Sequence, residues 1–185
     1  MIETRATPAA GAGISDRWIV LVGLMGAGKS AVGRALAERL GRVHLDADGE
    51  IERAADRSIA EIFAEHGEAF FRAREAEVVR RILAGPPGVL STGGGAWLSA
   101  EVREAVAARG VSVWLQADLP TLWGRVKGRP HRPLLRTADP RGTLAGLKAA
   151  RDPIYALADV TVRSEAERGV EATAGLVARA LRERA

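Results

Sequence analysis

Trp18-Ile-Val-Leu-Val-Gly-Leu-Met-Gly-Ala-Gly-Lys-Ser30 is the stretch on which the fold turns. Its first five residues are apolar without interruption, the mark of a strand covered on both faces of a parallel sheet. Residues 23–30 then match G-x-x-x-x-G-K-[ST] in full. Glycines at those positions let backbone N–H groups wrap a phosphate, and a following helix directs its positive end to the same spot. Lys29 is placed to reach β- and γ-phosphates, and the Ser30 hydroxyl to ligate magnesium. The alternative is a glycine turn that precedes Lys-Ser by accident. At average residue frequencies that happens in about one chain of this size in a hundred. Behind the loop, Val32, Leu36 and Leu40 recur at four-residue steps and Gly41 stops the run, so 29–40 reads as an amphipathic helix.

Working outward, the same alternation repeats. Short apolar runs at 43–45, 89–92, 111–115 and 160–162 read as strands; 51–64, 69–83, 101–108, 119–126, 143–155 and 170–184 read as helices. Strands that alternate with helices give an α/β domain around a parallel sheet. Residues 127–142 are rich in Arg, Pro and Gly and read as a long loop. Neither an internal repeat nor a domain linker interrupts the pattern.

Composition narrows the class. The 185 residues are 47% hydrophobic, enough for a single packed domain and too much for wholesale disorder. There is no cysteine, which excludes disulfides, zinc–thiolate sites and a nucleophilic thiol. Basic residues outnumber acidic ones by 27 to 23, a modest net charge of +4 that a site for phosphates and a carboxylate explains as well as nucleic acid does. With no long basic run and little aromatic interleaving, nucleic acid is the weaker reading. Residues 1–16 lack the basic and apolar regions of a secretory signal and read as a loose tail ahead of one domain, 17–185.

Beyond the glycine loop, single features are ambiguous. Asp46 and Asp48 stand two apart at the end of the second strand, where an extended chain puts both carboxylates on one face and where open parallel sheets bind ligands. One can serve a magnesium shell and the other hold a substrate hydroxyl or take its proton. Alone, Asp-x-Asp is equally a solvated turn with Asp48 capping the next helix. Arg72 and Glu75, three apart on a helix, are alone an ordinary surface ion pair. Gly93-Gly94-Gly95 is a flexible turn or a place of close backbone approach. Arg132 and Arg151 are, taken singly, solvated charges.

Together these features resemble one family. The order is the glycine loop, then L-D-A-D-x-x-I-E (45–52), R-S-I-A-E-I-F (57–63), G-E-x-x-F-R-x-x-E (67–75), T-G-G-G-A (92–96), R-P-L-L (132–135), R-x-P-x-Y (151–155) and A-D-V (158–160). This is similar to the bacterial shikimate kinases across residues 18–181. The resemblance implies the nucleoside-monophosphate-kinase type of P-loop fold: a three-layer α/β domain with five parallel strands in order 2-3-1-4-5 flanked by helices. A substrate-binding segment near 48–75 and a lid near 127–140 would close over it.

It also implies an activity, ATP-dependent phosphorylation of shikimate on the way to aromatic amino acids, by a cytoplasmic and usually monomeric enzyme with Mg2+ as cofactor. Residue by residue, Gly26, Ala27, Gly28, Lys29, Ser30 and Ala31 would cradle ATP, and Ser30 with Asp46 would serve the metal, Asp46 through water. Asp48 would hold substrate hydroxyls and polarise the attacking one. Arg72 and Arg151 would grip the carboxylate, a task suited to planar forks. Gly94 and Gly95 would present backbone to the substrate, Arg125 would lie against adenine, and Arg132 would close on the transferring group, so that Lys29, Asp48 and Arg132 carry the catalysis. Ala31 stands where Thr is commoner, and Trp97 where a smaller residue is usual, which predicts an altered substrate rim. A gluconate- or nucleotide-type kinase shares the loop but has no reason to combine Asp-x-Asp with these arginines. A non-catalytic nucleotide-binding module would not be expected to keep Lys29, both aspartates and the lid arginine.

Overall fold

The computed structural model describes residues 16–128 and 133–184. Residues 1–15 of the expected tail, and 129–132 of the expected lid with Arg132 among them, lie outside the described residues. Along the chain come β1 (Trp18–Val22), α1 (Lys29–Leu40), β2 (His44–Asp46), α2 (Ala47–Ala55), α3 (Ile59–Leu83), β3 (Val89–Ser91), α4 (Ala100–Arg109), β4 (Gly110–Gln116), α5 (Leu119–Val126), α6 (Pro140–Tyr155), β5 (Val160–Arg163) and α7 (Val170–Arg184).

β1 is buried over its whole length, as an unbroken apolar run requires, and it lies at the centre of the sheet. The strand order is β2-β3-β1-β4-β5 and every pairing is parallel, as expected from the resemblance. Leu21 pairs with Ser91 on one side and Val113 on the other. α1 packs against α7 and over β2 and β3, while α4 lies against β1, β4 and α3. Ile19, Leu21, Leu36, Leu90 and Leu115, all fully buried, form the core between these layers. Parallel strands open all their carboxyl ends at one edge, which is where the loops that follow β1, β2 and β3 converge.

Several boundaries differ from the sequence reading. The helix expected over 51–64 is two: α2 starts earlier, with Asp46 as its N-cap, and stops at Asp56, which adopts a left-handed φ of 50°. α3 restarts on a reciprocal capping box between Ser58 and Glu61. The gap expected between 64 and 69 survives as a break at Gly67 (φ 79°, ψ 173°) inside α3, a conformation open only to glycine. α6 begins at Pro140 rather than 143 because the Asp139 side chain accepts from the Gly142 amide and Pro140 suits the first turn. The second strand is His44–Asp46 rather than 43–45; Val43 is 66% exposed.

Candidate active site

The glycine loop turns between β1 and α1 through Gly26 and Gly28, at φ 84° and 95°, angles that other residues rarely adopt. Ala27, between them, is buried. Lys29 lies back across the loop, its Nζ donating to Gly23 O at 2.8 Å and Leu24 O at 3.2 Å. Those carbonyls hold the ammonium across the loop. Ala31, one residue further along α1, is exposed.

Ser30 Oγ donates to Asp46 Oδ2 at 2.5 Å, so a hydroxyl and a carboxylate oxygen sit together at the mouth of the loop. Two hard oxygens beside a phosphate cradle suit magnesium, which takes one or two protein oxygens and completes its shell with phosphate and water. Among the described residues no group of three or more His, Cys, Asp or Glu side chains could hold a metal without such help.

The Asp-x-Asp pair is not two residues on one strand face. Asp46 ends β2 and caps α2, its Oδ1 accepting from the Asp48 amide at 3.1 Å, and Asp48 already belongs to the helix. The turn sends the two carboxylates apart: Asp46 to Ser30, Asp48 to the glycine triplet and Glu75.

Beside the loop opens a cavity of about 540 Å3. Asp48, Arg72, Glu75, Gly93, Gly94, Gly95 and Arg151 line it, with Met25, Phe63 and Phe71 as the apolar wall and Arg136 at the lid end. Arg72 Nη1 donates to Glu75 Oε2 at 2.7 Å, and its Nε and Nη2 donate to Glu68 Oε1 at 3.3 and 3.2 Å. This is no ordinary surface pair, because Glu75 is 2% exposed. Burial pushes the Glu75 carboxyl up; the Arg72 charge opposes the rise without cancelling it, and Asp48 and Glu68 add to it.

Two of the three glycines are there for clearance. A Cβ on Gly95 would stand 2.3–2.5 Å from the Arg72 guanidinium, and one on Gly93 would stand 2.6 Å from Asp48 Oδ1 and 2.8 Å from Glu75 Oε1. None of the three glycines has a positive φ, so at Gly93 and Gly95 space rather than backbone freedom demands glycine, while a Cβ on Gly94 would meet nothing nearer than 3.5 Å. Gly94 O accepts from the Tyr155 hydroxyl and, at 3.4 Å, from Arg151 Nη1. Tyr155 is fully buried, and desolvation raises its pKa to about 12, so it stays a neutral donor that fixes the triplet.

One expectation changes. Trp97 does not reach the substrate rim: it is 3% exposed and its Nε1 donates to Ile154 O at 3.1 Å, which ties the end of the triplet to α6. Arg125 is anchored at the glycine loop. Its Nη1 donates to Gly26 O at 3.2 Å and Ser164 Oγ at 2.9 Å, and its Nη2 to Glu165 O at 2.8 Å, bolting the glycine loop to the segment after β5. A second cavity of about 540 Å3, lined by Asp118, Thr121, Lys148, Ser164 and Glu165, opens next to those anchors. The sequence reading gave Glu75 no place in the site and passed over Tyr155; the E of G-E-x-x-F-R-x-x-E and the Y of R-x-P-x-Y were the available signals.

The sequence model of the shikimate kinase family matches residues 25–182. A shikimate kinase of Ruegeria pomeroyi is 57% identical over 161 residues, covering 87% of this chain and 83% of its own. That of Cereibacter sphaeroides is 58% identical over 146 residues, 79% of this chain and 73% of its own. Among solved structures, shikimate kinase from Acinetobacter baumannii in complex with shikimate superposes with a TM-score of 0.86 at 38% identity, covering 92% of this chain and 96% of that one.

Proposed function

Because the chain belongs to the shikimate kinase family, we propose that it transfers the γ-phosphoryl group of ATP to the 3-hydroxyl of shikimate, giving shikimate 3-phosphate and ADP. The observation that carries the residue assignments is the convergence of Asp48, Arg72 and Arg151 on one cavity beside the glycine loop. A small hydroxylated carboxylate is the complement of that lining.

Arg72 and Arg151 take the carboxylate, and charge-assisted forks fix the ring's direction. Asp48 accepts from the attacking hydroxyl and takes its proton as the oxygen bonds to the γ-phosphorus and the bond to the β-phosphate bridging oxygen breaks, leaving ADP. Lys29 exchanges its carbonyl partners for β- and γ-phosphate oxygens. Gly94 and Gly95 bring backbone against the substrate, and Gly26 to Ala31 wrap the nucleotide. Ser30 and Asp46 would hold magnesium, which when bound neutralises charge on the phosphates. Arg125 and the cavity beside it receive the base; Arg132, from the lid, adds charge to the transferring group. Among the described residues no helix is long and apolar enough to cross a membrane; we take the enzyme to be cytoplasmic. We take it to act as a monomer.

The test is ADP release from ATP and magnesium with shikimate, gluconate or nucleoside monophosphates as acceptor. Turnover on shikimate alone is the expected result. Turnover on gluconate or a nucleotide with none on shikimate overturns the reading.

A further inference from the structure

The face of the sheet below α1 carries a polar layer that the reaction as described does not use. His44 and Asp46 lie two apart on β2 and so point to the same side, and Ser91 is the register partner of Asp46 on β3. Ser91 is fully buried, in a position where an apolar residue would pack. Its Oγ donates to the carbonyl of Lys29 at 2.9 Å and stands 3.0 Å from His44 Nε2. A hydroxyl has one hydrogen, already given to Lys29 O, so His44 is the donor in the second bond and carries its hydrogen on Nε2. Gly33 makes the approach possible: a Cβ there would stand 2.5 Å from Ser91 Oγ and 2.8 Å from His44 Nε2.

This chain of contacts joins the first turn of α1 to β3 and to the edge strand β2. Lys29 immediately precedes Ser30, and His44 precedes Asp46 by two residues. The tether therefore spans the same two elements as the Ser30–Asp46 oxygen pair, from beneath. We propose that Ser91, with His44 behind it, is a positioning residue that sets the spacing of Ser30 and Asp46 for a divalent cation. The inference rests on the reading that these two oxygens serve magnesium. Without the tether, the helix start shifts against β2 by small displacements that leave the fold intact but spread the ligand geometry, and magnesium tolerates such spread poorly.

The experiment is calorimetric titration of the full chain with ADP, once with saturating magnesium and once with EDTA. The readout is the ratio of the two affinities. Ser91→Ala should lower that ratio by about 3- to 10-fold, the effect of one lost neutral hydrogen bond, with EDTA-state affinity unchanged. His44 is only half-buried, so its variants fold even if Ser91→Ala does not. His44→Leu should lower the ratio similarly, and His44→Gln, which keeps an N–H donor at nearly the same reach, should restore most of it. Asp46→Asn is the control for the metal reading. If that variant keeps the full ratio, the magnesium assignment itself fails and the positioning role falls with it. If Asp46→Asn loses the ratio while Ser91→Ala and His44→Leu keep it, or lose affinity equally with and without metal, the positioning role alone is overturned.

Discussion

Glu75 gives one carboxylate oxygen to the Arg72 guanidinium at 2.7 Å and keeps the other, Oε1, buried with no hydrogen-bond partner among the described residues. A half-satisfied buried carboxylate is costly, and here the cost falls in the cavity beside the glycine loop, next to Asp48. The ion pair holds Arg72 against Gly95 and over the Phe71 ring, 5.1 Å from its centroid.

Stability should record this. Burial raises the Glu75 pKa above its ordinary 4.5, so the folded state holds that proton longer than the unfolded chain does. The corresponding stabilisation is complete below the unfolded value and is lost as pH rises through the folded one. Glu75→Gln, permanently neutral, should match the wild type near pH 4 and gain on it as pH rises toward 7. Thermal melts across that range check the sign. A gap that stays flat, or that moves the other way, removes the unpaired-carboxylate account.

Arg72→Ala and Arg151→Ala should each weaken shikimate binding by about 1.5–3 kcal/mol, the scale of a charge-assisted hydrogen bond, or roughly 10- to 150-fold in Kd. ATP affinity should hold within about twofold, because neither side chain hydrogen-bonds to the glycine loop among the contacts described. Calorimetry with each ligand separates the two. Loss of ATP affinity with shikimate affinity kept would assign the arginines to the wrong pocket.

Gly95→Ala tests the clearance argument. An added methyl would occupy the space of the Arg72 guanidinium, so shikimate affinity should fall about as far as in Arg72→Ala. The double variant Gly95→Ala/Arg72→Ala should then be little worse than either single one, since both remove the same fork. Additive losses would mean that Gly95 acts independently of Arg72.

Lys29→Ala should abolish turnover. It also frees the Gly23 and Leu24 carbonyls, so a stability loss of about 1–3 kcal/mol, the worth of two hydrogen bonds, should accompany it. Coupled ADP assay and a thermal melt measure both. A variant with near-normal turnover would remove Lys29 from the phosphate chemistry.

Local sequence determined the parts of this protein that depend on neighbours in the chain. Trp18–Val22 could only be a covered central strand, and the loop after it needs glycine at Gly26 and Gly28 for φ alone. The capping box at Ser58 and Glu61 and the Asp139-Pro140 helix start were equally legible in residue order, even where the boundaries read from periodicity missed them. The motifs likewise named Asp46, Asp48, Arg72 and Arg151 before any geometry was known. Tertiary structure decided what each of them faces. Asp46 and Asp48 part company because a helix cap, not an extended strand, separates them. Glu75 leaves the class of surface partners only because α3 packs it beneath the triplet, and Trp97 turns inward to Ile154 rather than outward to a rim. Ser91, His44 and Gly33 lie far apart in sequence and meet only across β3, β2 and α1. Periodicity reports which face of an element is apolar; desolvation, clearance and shared hydrogen bonds depend on what packs against that face, and that is set only when the sheet and its helices close on one another.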